Sequence, residues 1–276
     1  MKRLRLLFLS PSALVMGALV AAPLAIVLLY SVMNRGVYGG VELPYTLQNY
    51  ARLADPLYLR IFARSFLMAG GAALTCLVLG FPLALFISNA GRRKNLYLYL
   101  VILPFWTSFL VRTYAWMFLL RDTGLINTVL LATGLIRAPL ALLYNPGAVL
   151  AGLVYGYLPF MVLPLYATLE RIDRTLIEAA ADLGARPFQT VLRVIVPLAA
   201  PGIRAGAVLV FIPCLGAYLT PDLLGGSKTI MVGNLIQNQF TAARDCPFGS
   251  AVSLLLMAVA MLLLAAWVWR EKEKLL

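Results

Sequence analysis

Long stretches of this chain carry no Asp, Glu, Lys or Arg, and they constrain its fold more than any motif does. Leu6–Asn34, Ser65–Gly91, Ala138–Leu169 and Cys246–Trp269 are four such runs. Each exceeds the roughly 20 apolar residues with which an α-helix crosses a bilayer. Asn95–Leu120 joins them if Arg112 is tolerated, as does Ala205–Pro221 if it extends back through Leu198–Ile203 past Arg204. Composition agrees, with 62% hydrophobic and 12% charged residues and a mean hydropathy of +0.89, far from a soluble domain. The expected fold is an all-α membrane protein, one domain over 1–276, with six transmembrane helices near 11–33, 65–89, 96–120, 147–169, 198–221 and 249–269.

Orientation follows from the excess of Lys and Arg on cytoplasmic loops. Lys2, Arg3 and Arg5 precede the first run, Arg92, Arg93 and Lys94 fill the second loop, and Arg270, Lys272 and Lys274 follow the last run. Arg171, Arg174, Arg186 and Arg193 lie in the loop over 170–197. All fall on one side if both termini are cytoplasmic. The net charge of +12 is then that of a basic protein in membrane lipid, with no nucleic acid needed to explain it. The first run has 29 uncharged residues, more than the roughly 7–15 of a signal-peptide core. It reads as an uncleaved span of a bacterial-type inner membrane protein.

Chemistry is hard to find. The chain has no His, which excludes imidazole metal sites and Ser-His or Cys-His nucleophile pairs. Cys76, Cys214 and Cys246 share no ligand-like spacing. The Gly225–Thr229 run, GGSKT, lacks the Gly spacing of a phosphate loop. No catalytic residue, metal or cofactor is expected, so the energy source must be another chain.

Charged and aromatic residues near the spans are the candidates for a solute pathway. Arg112 is expected well along the third helix, near the outer interface, where snorkelling could satisfy it. Asp222 stands beside Pro221 and the Gly225–Gly226 turn, in a capping or a cation-binding role. Trp106, after Pro104, is too central for an interfacial belt, and Tyr218 lies near the end of the fifth span. Of the outer loops, 35–63 is polar and turn-rich, 123–136 is apolar but too short to cross, and Met231–Phe240 suggests a short amphipathic helix.

One polar loop stands apart. Residues 178–197 read EAAADLGARPFQTVLRVIVP. A helix with small alanines, a break at Gly184 and a restart through Pro187 are what these residue types favour. The spacing resembles the EAA loop of ATP-binding-cassette importer permeases. Glu178, Ala179, Ala180, Gly184 and Pro197 match in place, while Val194 and Val196 replace Ile and Leu.

The resemblance extends along the chain. LQNYARLADPLY (47–58), TCLVLGFPLALF (75–86), PFWTSFLVRTY (104–114), LVYGYLPFMVLPLY (153–166), DLLGGSKTIMVGNLIQNQF (222–240) and RDCPFGSAVS (244–253) look like the first permease subunit of spermidine/putrescine importers. Cys246 departs from the Trp usual there. The resemblance implies the type I importer permease fold. It also implies a second permease subunit, two cytoplasmic ATPases and an extracytoplasmic solute-binding protein, with the EAA loop meeting the ATPases. It implies a polyamine solute, for which carboxylates and aromatic faces are the expected contacts; relatives carry other small solutes, opine-like, amino-acid-like or anionic. A secondary carrier would place coupling acids inside its spans, and these spans have none.

Overall fold

The computed structural model describes residues 2–272, with side chains from Leu14 to Trp269. The basic residues Lys2, Arg3, Arg5, Arg270, Lys272 and Lys274, on which part of the orientation argument rests, lie outside those described side chains. Among the described residues, five helical segments are long and apolar enough to cross a membrane: Leu14–Ser31, Pro56–Ser88, Phe109–Ala132, Pro146–Leu169 and Cys246–Trp269. A sixth is the pair Pro187–Leu198 and Ala200–Leu215, bent by 70° between its halves.

The chain divides into two compact units, one built on residues up to Arg60 and from Leu235 onward, the other on Ile61–Asn234. In the first, α1 (Lys2–Ser31) leads into a hairpin of β1 (Met33–Arg35) and β2 (Val41–Tyr45), followed by α2 (Gln48–Leu53). The hairpin departs from the all-helical expectation; Gly39 and Gly40, at φ +93° and +84°, turn the chain where other residues would strain. Arg35 ties it down by donating to the Ala243 carbonyl at 2.7 Å.

In the second unit, α3 (Pro56–Ser88, shared with the first) is followed by α4 (Lys94–Ile102), α5 (Phe109–Leu120), α6 (Leu125–Ala132) and α7 (Pro146–Leu169). Next come α8 (Arg174–Asp182), α9 (Pro187–Thr190), α10 (Val196–Leu198) and α11 (Ala200–Leu215). α12 (Val232–Phe240) then leads back into the first unit, which also holds α13 (Cys246–Lys272). α7 begins where Asn145 caps it, accepting from the Ala148 N–H at 2.9 Å, with Pro146 in the first turn.

α7 and α11 form the most extensively packed helix pair in this unit, and glycine permits their close approach. A Cβ at Gly202 would stand 2.5 Å from Thr168 Oγ1, and one at Gly206 would stand 2.6 Å from the Met161 sulfur. Gly80 of α3 makes the same kind of approach to Met161 and Val162. Small residues at helix crossings are the expected device in lipid, where close backbone contact replaces a hydrophobic driving force.

The expected third helix over 96–120 is interrupted. α4 stops at Ile102, a 3-10 turn spans Leu103–Trp106, and Thr107 and Ser108 are extended before α5 starts. Pro104 explains the break, since its ring and missing N–H disfavour a continuous α-helix. Arg112 therefore stands in the first turn of α5, rather than far along a single long helix.

Candidate functional site

The coupling loop is built around Gly184. α8 starts where the Asp173 carboxylate accepts from the Thr175 N–H at 3.0 Å, and that hydrogen bond holds the Asp173 carboxyl below its ordinary range. It ends in a Schellman arrangement: the Gly184 N–H reaches the Ala181 carbonyl at 2.8 Å, and the Ala185 N–H reaches Ala180 at 3.0 Å. Gly184 is left-handed, at φ +81°, with nothing within 4 Å of where a Cβ would point. The chain restarts at Pro187, with Gln189 Oε1 accepting from the Arg186 N–H at 2.9 Å. A π-turn over Val191–Ile195 then leads through α10 to the 70° bend ahead of α11.

Glu178, Ala179, Gly184 and Pro197 are exposed, and Ala180, Val194 and Val196 are half-buried. No residue of α8 is buried. Two apolar neighbours escaped the sequence reading: Leu183 is 89% exposed and Phe188 is 73% exposed. The signal was available, as two large apolar side chains flank Gly184 inside a polar loop. Leu176 is exposed as well, at 47%, so three large apolar side chains of this polar loop face outward, and exposed apolar groups clustered in one element are a common mark of a protein contact.

The pathway candidates are dispersed. Trp106 closes the 3-10 turn and is 86% exposed, with no ring contact. Tyr218 is half-exposed, and its carbonyl accepts from Asn234 Nδ2 at 2.8 Å and from the Asp222 N–H at 3.0 Å. Asp222 is exposed at the start of the Pro221–Gly225 π-turn, which packs against α5. No hydrogen bond, ion pair or ring contact joins Trp106, Tyr218, Asp222 and Arg112 to one another.

Arg112 has different company, a set of aromatic rings. Its guanidinium carbon lies 4.4 Å from the ring centre of Phe105, 5.5 Å from Phe109 and 5.9 Å from Tyr155. Its Nε and Nη1 are covered by protein and have no hydrogen-bond partner. The rings are held in place: Phe105 stacks on Tyr155 at 6.4 Å, Trp116 meets Tyr155 edge-on at 5.6 Å, and Gly156 lets the Phe109 ring lie against α7. Phe105 arrives by way of the Pro104 break and Tyr155 from a distant helix, so periodicity could not assemble this box.

With this geometry established, comparison with known proteins assigns the family. Residues 76–270 match the binding-protein-dependent transport system inner membrane component. The chain belongs to that family. It is a multi-pass inner membrane permease component of an ATP-binding-cassette importer. The spermidine/putrescine transport system permease protein PotB of Salmonella typhimurium (strain SL1344) is 45% identical over 89% of this chain and 85% of its own length. The protein of the same name from Haemophilus influenzae is 43% identical over 93% of this chain and 90% of that one. Among solved structures, a chain of a bacterial alginate ABC transporter, in complex with an alginate pentasaccharide-bound periplasmic protein, superposes with a TM-score of 0.77. It covers 96% of this chain and 93% of its own at 16% identity, which speaks for the fold.

Proposed function

We propose that this chain is a non-catalytic permease subunit of an ATP-driven importer of polyamines such as spermidine and putrescine. The observation that carries the reading is the identity to permeases named for those solutes, sustained along most of both chains. The partners are a second permease, two cytoplasmic ATPases and an extracytoplasmic solute-binding protein. Both termini and the loop over 170–197 face the cytoplasm, as the basic residues of Arg92–Lys94 and of that loop favour. The permease supplies a pathway with two accessible states. Glu178, Ala179, Ala180, Gly184, Val194, Val196 and Pro197 form the surface through which ATPase closure reaches α11, with Leu183 and Phe188 as its apolar contacts. Trp106, Tyr218 and Asp222 lie along the solute pathway, exposed to whatever the second permease brings against them.

The test is uptake of spermidine by the complete complex in proteoliposomes, with a coupling variant beside the wild type. Gly184→Asp puts a charged side chain on the docking surface and a Cβ on a left-handed residue, the latter costing about 1–2 kcal/mol. Solute-stimulated ATP hydrolysis should fall to near background, while the protein remains inserted. Gly184→Ala carries the backbone strain without the charge and should retain most of the activity. Normal coupling by Gly184→Asp would refute the docking role. A second reading, an anionic solute, draws on the unpaired Arg112; preferential import of an anion by the wild-type complex would select it.

A further inference from the structure

The Arg112 box is the part of the molecule that coupling and packing do not explain. An intramembrane charge is costly and ordinarily finds a partner. Here two guanidinium nitrogens are enclosed and unpartnered, and no carboxylate among the described residues pairs with Arg112. What holds the cation is the faces of three rings. Three aromatic faces around a positive charge are the chemistry by which proteins recognise ammonium groups. All three ring-bearing residues are half-buried, so the box is partly exposed.

We infer that the box formed by Phe105, Phe109 and Tyr155 is an ammonium-binding subsite of the pathway, and that Arg112 is a tethered placeholder cation occupying it between transport events. The inference rests on the polyamine reading above and adds a site to it. A guanidinium on the first turn of α5 competes with an incoming ammonium as a ligand held at high local concentration. It also repels that ammonium directly, because no acid neutralises it. Both effects act in the same direction, so an empty transporter offers its box only to a cation delivered at high effective concentration.

Removing the placeholder should tighten solute binding, whereas damage to a merely structural residue would weaken it. The experiment is equilibrium binding of spermidine to the purified complex of both permeases and both ATPases, nucleotide-free and without the solute-binding protein. Arg112→Gln should bind spermidine about 3- to 10-fold more tightly than wild type, and Phe105→Leu and Tyr155→Leu should each bind it more weakly by a similar factor. In Arg112→Gln/Phe105→Leu the gain should disappear. Unchanged or weaker binding by Arg112→Gln overturns the inference. So does loss of the second permease on purification of that variant, which would make Arg112 an ion-pair partner across the permease interface. Spermidine uptake by the wild-type complex with its binding protein is scored separately; its absence refutes the polyamine reading, while uptake with unaltered Arg112→Gln binding refutes only the placeholder.

Discussion

Among the described residues three arginines, Arg52, Arg112 and Arg121, lie over phenylalanine rings, and of these Arg52 alone pairs with an acid; Arg52 and Arg112 make the telling contrast. Arg52 stands 4.1 Å from the Phe248 ring centre and pairs with Asp245 at 2.9 Å. Burial works to lower the Arg52 pKa, but the hydrogen bond and charge of Asp245 outweigh it and raise the value. Asp245, 3% exposed, also accepts from the Phe248 N–H and so caps α13. Arg112 has a comparable ring distance, more rings and no anion. The first arrangement is closed on itself, with every charge answered within the chain. The second has no acid among the described residues, and only ring faces hold its guanidinium. The ring contact is common to both, so the acid decides which arginine is a rivet and which is available.

Substituting each arginine by glutamine tests that distinction most strongly through stability. Arg52→Gln leaves the Asp245 carboxylate buried without its cation. The cost should be about 1–3 kcal/mol, at the lower end because Arg52 itself is half-exposed. Arg112→Gln surrenders a ring contact worth about 0.5–2 kcal/mol but also removes a half-buried charge with no acid beside it, so the two changes offset each other. Thermal inactivation of the purified complex should therefore be clearly faster for Arg52→Gln and close to wild type for Arg112→Gln. Equal losses would erase the comparison and make Arg112 a structural residue like Arg52.

The two regions also differ in how far they could be read from the sequence. The coupling loop was legible because its geometry is local: Gly184 supplies the left-handed cap, Pro187 the restart, and both act within a few residues. The long apolar runs announced membrane helices for the same reason. The Arg112 box was not legible. Pro104 sits inside an apolar run that otherwise reads as one helix, and the sequence alone therefore does not put Arg112 in the first turn of a new helix. Tyr155, on α7, comes within reach because Gly156 admits Phe109, a tertiary fact that periodicity does not encode. The hairpin after α1 was hidden by its brevity, with strands of three and five residues.

A third cation gives the comparison its weakest and most pH-dependent member. Lys94, at the start of α4, pairs with Glu170 at the end of α7, and both are exposed. They line a cleft of about 390 Å³ with Leu85, Ile177 and Ile195, joining the Arg92–Lys94 loop to the base of the coupling loop. The Lys94 hydrogen bond first, and that of Tyr166 second, hold the Glu170 carboxyl below its usual 4.5, while the hydrogen bond to Glu170 raises Lys94 above its usual 10.5. A depressed acid contributes stability that is present above its unfolded value and lost as pH falls through the folded one. A raised base contributes stability present below its unfolded value and lost as pH rises through the folded one. The pair is thus fully formed between about pH 4.5 and 10.5. Being exposed, it should be screened by salt and worth little, unlike the Arg52 pair. Glu170→Gln should leave solute-stimulated ATP hydrolysis near wild type at neutral pH, and it should flatten the part of the acid-side decline in complex stability that follows Glu170. An unchanged acid-side profile would assign that decline to other carboxylates, Asp173 at the α8 cap first among them. A large loss at neutral pH would instead make this surface pair a working strut between the second loop and the coupling loop.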